Sequence, residues 1–200
     1  AQRVQLAERG LESLLTDIEL PLVKVLRDME LAGVRLNKER LAEIRERVAE
    51  EIAGLEKQIH DIAGHEFTIG SPQQLGAVLF EQLGLSKKRR GKTGFSTDAR
   101  VLQAIRHEHE IVPMVERWRE LSQLMKTYLN VLPALADDQS RIHTTFIQAA
   151  ATTGRLASTD PNMQNVPVRT ELGREIRGCF EAAPGNVLVS VDYSQVELRV

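Results

Sequence analysis

Val187-Leu188-Val189-Ser190-Val191-Asp192-Tyr193-Ser194-Gln195-Val196-Glu197-Leu198-Arg199-Val200 is the stretch on which the fold turns. Its first five residues are a strongly apolar run rich in β-branched side chains, the composition of a buried strand. Asp192 follows at once. Ser194 to Glu197 then has the spacing of a capping box, in which a serine hydroxyl meets the third helical N–H and a glutamate reaches back. The run therefore reads as a strand giving out directly into a helix, with Asp192 exposed at the joint. A carboxylate so placed can cap the helix. It can equally hold a hard cation, because Mg²⁺ takes one or two carboxylates together with water and phosphate oxygens. No turn or polar tail follows, so the element is expected to continue in a longer chain.

Before this run, Ala183-Pro184-Gly185-Asn186 reads as a turn, with a strand near residues 179–181 and a short helix near 170–177. Residues 151–170 hold Thr, Gly, Ser, Asp, Pro and Asn with little apolar periodicity. Such a segment is either disordered or an ordered functional loop. Residues 141–148 are rich in β-branched and aromatic side chains, and Asp137-Asp138-Gln139-Ser140 is a turn.

The first two thirds are helical in pattern. Leu22, Val25, Leu26 and Met29 share a face of an amphipathic helix over residues 12–33, with Gly33 as its stop. After a short extended step, Asn37 can cap a long helix whose Leu41, Ile44, Val48, Ile52, Leu55, Ile59 and Ile62 recur every three or four residues. Ser71-Pro72-Gln73-Gln74 starts another helix, carrying Leu75, Val78, Leu79 and Leu83. Thr97 is placed to cap a short helix with Val101, Leu102 and Ile105. Pro113 opens a long one striped by Val115, Trp118, Leu121, Met125 and Leu132. Between them, Lys87, Lys88, Arg89, Arg90 and Lys92 crowd one glycine-flanked segment. It can be a solvated charged loop or a strip that tracks phosphates.

Composition narrows the class. Apolar residues make up 42% of the 200, charged residues 27% and aromatics 4%, so the core rests on aliphatic side chains, which suits helices. A single cysteine, Cys179, cannot form an internal disulfide, and no run is long and apolar enough for a membrane span or a signal peptide. The expectation is a cytoplasmic chain without membrane contact. His107-Glu108-His109-Glu110 puts its histidines two apart, on different faces of a helix, whereas a helical zinc pair needs a step of four. It reads as a polar helix end, and Cys179 as a core residue. There is no phosphate-cradling glycine loop of the Walker type.

Two stretches together carry a family resemblance. Asp192-Tyr193-Ser194-Gln195-Val196-Glu197-Leu198-Arg199 resembles the first catalytic motif of family A DNA polymerases. Thr153-Gly154-Arg155-Leu156-Ala157-Ser158-Thr159-Asp160-Pro161-Asn162-Met163-Gln164-Asn165-Val166-Pro167-Val168-Arg169 is similar to the duplex-contacting segment of that family. The helical part before them resembles the thumb of bacterial members, so the likeness covers essentially the whole chain. It implies an α+β fold, a mainly helical thumb with a partial, truncated antiparallel β palm. Residues 1–34 would be an approach helix and palm base, 35–186 the thumb with loop 151–170, and 187–200 the start of the palm.

The activity implied is template-directed deoxynucleotidyl transfer to a primer 3′-hydroxyl by a two-metal mechanism, present here as an incomplete and by itself inactive fragment. Its partners would be a primer–template duplex and deoxynucleoside triphosphates, its cofactor two Mg²⁺ ions, and its state monomeric. The resemblance makes Asp192 a metal ligand together with the Tyr193 carbonyl, and places Tyr193, Ser194, Gln195 and Glu197 at the nucleotide. Glu197 would crowd the sugar 2′ position, or merely cap with Ser194. Arg155 would reach the minor groove at the primer terminus, where purine N3 and pyrimidine O2 are equivalent acceptors. Asn162, Gln164 and Asn165 would serve the same groove, although an Asn-rich turn is the plainer reading. Arg169 would meet phosphate or remain a surface arginine. The basic segment 87–92 and Lys126 with Thr127 would follow the nucleic-acid backbone. Two rivals stay open: a DNA-binding thumb module without catalysis, and a helical scaffold. The loop 153–169 speaks against the second, since a scaffold has no use for that polar constellation.

Overall fold

The computed structural model describes residues 2–86, 90–91 and 94–199, with Gln2, Arg90, Phe95 and Glu197 described through their backbone alone. In chain order the elements are α1 (Gln2–Glu8), α2 (Glu12–Leu14), α3 (Leu20–Ala32), β1 (Val34–Leu36), α4 (Lys38–Ala63), α5 (Pro72–Gly76), β2 (Arg90–Gly91) and β3 (Gly94–Phe95). They continue with α6 (Ala99–Ala104), α7 (Ile111–Leu124), α8 (Leu132–Leu135), β4 (Arg141–Ile142), β5 (Thr145–Ile147), β6 (Ala157–Thr159), α9 (Glu171–Arg177) and β7 (Phe180–Glu181). Turns of π type at Leu15–Glu19, Ala77–Gln82 and Met125–Leu129 adjoin α3, α5 and α7. The class is α+β, helix-dominated with small antiparallel sheets, as the sequence leads one to expect. Two compact units divide the chain: Ala1–Leu41 with Val131–Val200, and Ala42–Asn130.

The first unit is built on a three-stranded antiparallel sheet in the order β4-β1-β7. Val34 pairs with Ile142 and Arg35 with Arg141 on one side, and Leu36 with Phe180 on the other. Gly33 makes the entry possible. Its φ of +57° is a left-handed conformation, and a Cβ there would stand 2.7 Å from the Ile142 carbonyl and 2.8 Å from the His143 ring. Leu26, Leu36, Ile142, Leu172, Ile176 and Cys179 are buried. Cys179 is the core residue its pattern suggests: burial pushes its thiol up from the ordinary range, and its Sγ–H donates to the Glu175 carbonyl. Of the stripe on α3 only Leu26 is fully buried, while Val25 and Met29 are exposed. Leu22, one turn before Leu26, is half-buried.

The second unit has an aliphatic core of Ile59, Leu75, Leu79, Phe80, Leu102, Ile105, Ile111 and Val115, all nearly inaccessible to water. Asn37, at the start of α4, caps as expected, its Oδ1 accepting from Arg40 N at 2.9 Å. Gln74 does not complete a reciprocal box with Ser71. It accepts instead from Thr68 N at 2.6 Å and so ties the approaching loop to α5. Nor does Thr97 cap α6. Asp98 does, with Val101 N donating to its Oδ1, while Thr97 is buried and both its oxygens accept from the Arg119 guanidinium. A carboxylate is the stronger acceptor for a helix N-terminus, which frees the threonine for the arginine. At the foot of the basic segment, Glu108 accepts from Ser86 N at 2.7 Å and His109 from Ile111 N. The His-Glu-His-Glu stretch is thus a polar helix end.

Leu79→Ala is expected to cost about 2–5 kcal/mol of stability, because it opens a cavity in a filled core. Val25→Ala, on the uncovered part of α3, should change stability by less than about 0.5 kcal/mol. Urea denaturation of the two variants checks the pair, and equal losses would contradict the burial described.

Candidate nucleic-acid interface

Residues 153–169 form an ordered loop held almost wholly by polar side chains turned onto its own backbone. β5 and β6 make a two-stranded antiparallel ribbon in which Thr145 faces Thr159, Phe146 faces Ser158 and Ile147 faces Ala157. Ser158 is buried, and its hydroxyl accepts from Met163 N at 3.0 Å. The Gln164 carboxamide accepts from Ser158 N at 3.1 Å and donates to the Leu156 carbonyl at 2.8 Å. Asn162 accepts from Gln164 N at 3.0 Å. The Thr144 hydroxyl lies 3.0 Å from the Thr159 carbonyl and 2.7 Å from that of Pro161, and its one proton serves either. Asp160 takes the left-handed conformation at the bend, φ +53°, which aspartate tolerates. Beyond it Val166 is buried and α9 closes against Pro167, where a Cβ on Gly173 would come within 2.6 Å of the Pro167 Cβ.

That arrangement leaves Arg155, Asn162, Asn165 and Arg169 exposed on a fixed frame. Gln164 is exposed too, but its carboxamide is engaged at both ends and retains one N–H for another partner. The structure therefore brings Asn162 and Gln164 together and gives both a bracing role that the sequence does not reveal. Thr144 and Ser158, absent from the candidate residues, prove equally central. Hydroxyl side chains flanking an Asp-Pro bend were the available signal.

In the second unit Lys126 and Thr127 lie exposed on the turn after α7, Thr127 accepting from the Gln123 amide at 2.9 Å. Arg90 pairs with Phe95 through backbone in the β2–β3 ribbon. Lys87, Lys88, Arg89 and Lys92 lie outside the described residues.

Residues 187–191 are not in a strand, and no helix starts at Ser194. A strand needs a neighbour for its backbone groups, and among the described residues none pairs with this run. The helical turn that does form is a short 3-10 segment, Val196–Leu198, entered through Gln195 at φ +54° without a side-chain cap. Asp192, Tyr193, Ser194 and Gln195 are exposed, and Glu197 is described by backbone alone. Asp192 and the Tyr193 carbonyl are hard-oxygen donors of the kind Mg²⁺ prefers. Among the described residues no group of three or more His, Cys, Asp or Glu gathers to hold a metal. The donor chemistry fits the ion, and the donor number supplies part of its shell.

The family model for DNA polymerase family A matches residues 38–200. The chain belongs to DNA polymerase family A. DNA polymerase I of Lactococcus lactis subsp. cremoris (strain MG1363) is 44% identical over 197 residues, 98% of this chain and 22% of that protein. DNA polymerase I of Chloroflexus aurantiacus is 45% identical over 205 residues, with 100% and 22% covered. The chain thus spans about a fifth of the length of the curated relatives it matches. A solved structure described as the POL domain of Pol1 from M. smegmatis in complex with DNA primer-template and dNTP superposes with a TM-score of 0.86 at 37% identity. That match covers 97% of this chain and 35% of the other. No helix among the described residues is long and apolar enough to cross a membrane.

At the root of the family A loop, an ion pair fixes the strand that leads into the ribbon. His143 Nε2 stands 3.1 Å from Asp137 Oδ2, and its Nδ1 2.7 Å from the Glu30 carbonyl. The Glu30 carbonyl, then Asp137, raises the His143 pKa above its ordinary 6.5. The Arg141 backbone N–H, then His143, lowers that of Asp137 below 3.8. A raised folded-state histidine pKa gives stabilisation complete below pH 6.5 and lost as pH climbs through the raised value. A lowered aspartate pKa gives stabilisation complete above pH 3.8 and lost as pH falls through the lowered value. The pair should therefore stabilise most between pH 3.8 and 6.5. The difference in Tm between wild type and His143→Ala, followed from pH 3 to 9, should peak in that window. A difference independent of pH would contradict the pairing.

Proposed function

We propose that this chain is the part of a DNA-directed DNA polymerase that grips the primer–template duplex and contributes one carboxylate to the nucleotidyl-transfer site. The observation that carries the reading is the loop 153–169, a rigid polar platform with Arg155, Asn162 and Asn165 on its exposed side. Family membership and the superposition on a polymerase bound to primer-template and dNTP support it. In this reading residues 1–34 are the approach helix and palm base, 35–186 the thumb with its loop, and 187–200 the start of the palm.

Arg155 approaches the minor groove at the primer terminus. Both base-pair orientations present an acceptor there, so a single guanidinium tests pair shape and ignores sequence, the indifference a copying enzyme needs. Asn162 and Asn165 add short amide donors to the same edge, Gln164 keeps one N–H for it, and Arg169 takes a phosphate. Lys126, Thr127 and the basic segment 87–92 follow the backbone by charge and hydrogen bonding. Asp192 and the Tyr193 carbonyl would hold Mg²⁺, which would supply Lewis-acid stabilisation of an in-line phosphoryl displacement. Ser194 and Gln195 line the nucleotide, and Glu197 crowds its 2′ position so that a ribonucleotide fits poorly. The proposed partners are DNA and deoxynucleoside triphosphates, engaged by a monomer in the cytoplasm.

Fluorescence anisotropy with a recessed primer–template duplex tests the reading. Arg155→Ala should weaken binding about tenfold, equally for all terminal base pairs. Neutralising the five basic residues of segment 87–92 should reduce the slope of log K against log salt by roughly 0.9 for each phosphate left without its cation. In a polymerase containing this segment, Asp192→Ala should abolish primer extension while leaving duplex affinity within about twofold. Unaltered extension would refute the metal assignment.

A further inference from the structure

The β5–β6 ribbon has two outer edges, and each is closed by a side chain in place of a strand. Antiparallel pairs alternate between residues that exchange hydrogen bonds and residues whose N–H and C=O groups point outward. Phe146 and Ser158 are the central facing pair, and both of their N–H groups point away from the ribbon. Ser158 N donates to the Gln164 carboxamide at 3.1 Å. Phe146 N donates to the Glu30 carboxylate at 2.6 Å. Glu30 is half-buried near the end of α3, 116 residues before Phe146, and its own carbonyl receives the His143 ring. An isolated two-stranded ribbon is marginal in water, so what closes its edges decides its pose. A carboxylate is the stronger of the two closures, since a hydrogen bond to an ionised acceptor is about twice as strong as a neutral one.

We infer that Glu30 is a positioning residue for the duplex-reading loop, acting through the Phe146 N–H to fix the ribbon from which Arg155 and Asn162 project. Arg155 precedes β6 by two residues and Asn162 follows it by three, so a tilt of the ribbon displaces both together. The inference rests on the polymerase reading for what the loop touches. It does not rest on it for what holds the loop.

The test has two arms on the 200-residue chain. In native-state hydrogen exchange the Phe146 N–H should be protected at least a hundredfold over exposed loop amides such as that of Thr153. Exchange as fast as theirs overturns the inference without any variant being made. In the second arm, anisotropy with a labelled primer–template duplex compares Glu30→Ala, Glu30→Gln, Arg155→Ala and the double variant Glu30→Ala/Arg155→Ala, with Tm recorded for each. Glu30→Ala should weaken binding about fivefold, and Glu30→Gln, which keeps an acceptor for Phe146, should stay within about twofold of wild type. The double variant should lose less than the two single losses combined, because part of the Glu30 effect runs through the arginine already removed. A purely structural glutamate would give additive losses and no rescue by glutamine, and either result overturns the inference. If Arg155→Ala weakens binding and a folded Glu30→Ala does not, the inference fails and the polymerase reading stands. If the wild-type chain binds no duplex, the polymerase reading fails and the exchange arm alone decides on Glu30. It also decides if Glu30→Ala does not fold.

Discussion

Residues 153–169 have few apolar side chains to bury, yet they must hold a guanidinium and two amides in place. The hydrophobic effect cannot do this, so the segment relies on side chains that imitate backbone. Gln164 donates to Leu156 and accepts from Ser158 as a neighbouring strand would, Ser158 takes Met163, and Thr144 ties the bend on both sides of Asp160. Each of these bonds leaves fewer conformations open to the chain, and an exposed arginine on such a frame meets its ligand with less order still to be imposed. The remainder of the first unit serves that frame. Gly33 lets β1 pass close under Ile142, and His143 and Arg141 fasten the following strand to the end of α3.

The second unit works by a different principle. Its core is aliphatic and closely filled, Arg119 reaches in to the buried Thr97, and Arg117 pairs with Glu51 at the surface. Such a body keeps its shape while presenting Lys126 and Thr127 to solvent. Backbone recognition by charge tolerates small displacements, and groove recognition does not. In the proposed reading the packed helical body takes the tolerant contact and the hydrogen-bonded loop the exacting one.

Helices were legible in the sequence because burial repeats every three or four residues, and Asn37 marks the start of α4 plainly. Caps were less so, since several candidates compete locally: Asp98 displaced Thr97 once Arg119 required a buried acceptor. The loop could be recognised as special from its composition and its family likeness, but its bracing could not. Glu30 and Phe146 are far apart in sequence, and the Gln164 amide reads as a groove donor until Ser158 is seen beside it. The run at 187–191 failed for another reason. Strand propensity describes a side chain's fit to a sheet and cannot provide the neighbouring strand.

Everything functional depends on whether the face bearing Arg155 meets the minor groove at a primer end. A primer–template duplex carrying 2-thiothymidine at the primer 3′ terminus places a photoreactive sulfur in that groove. Irradiation with the chain, followed by peptide mapping, should give crosslinks within residues 153–169. Crosslinks confined to other segments, or the same yield when the label sits far from the primer end, would contradict it.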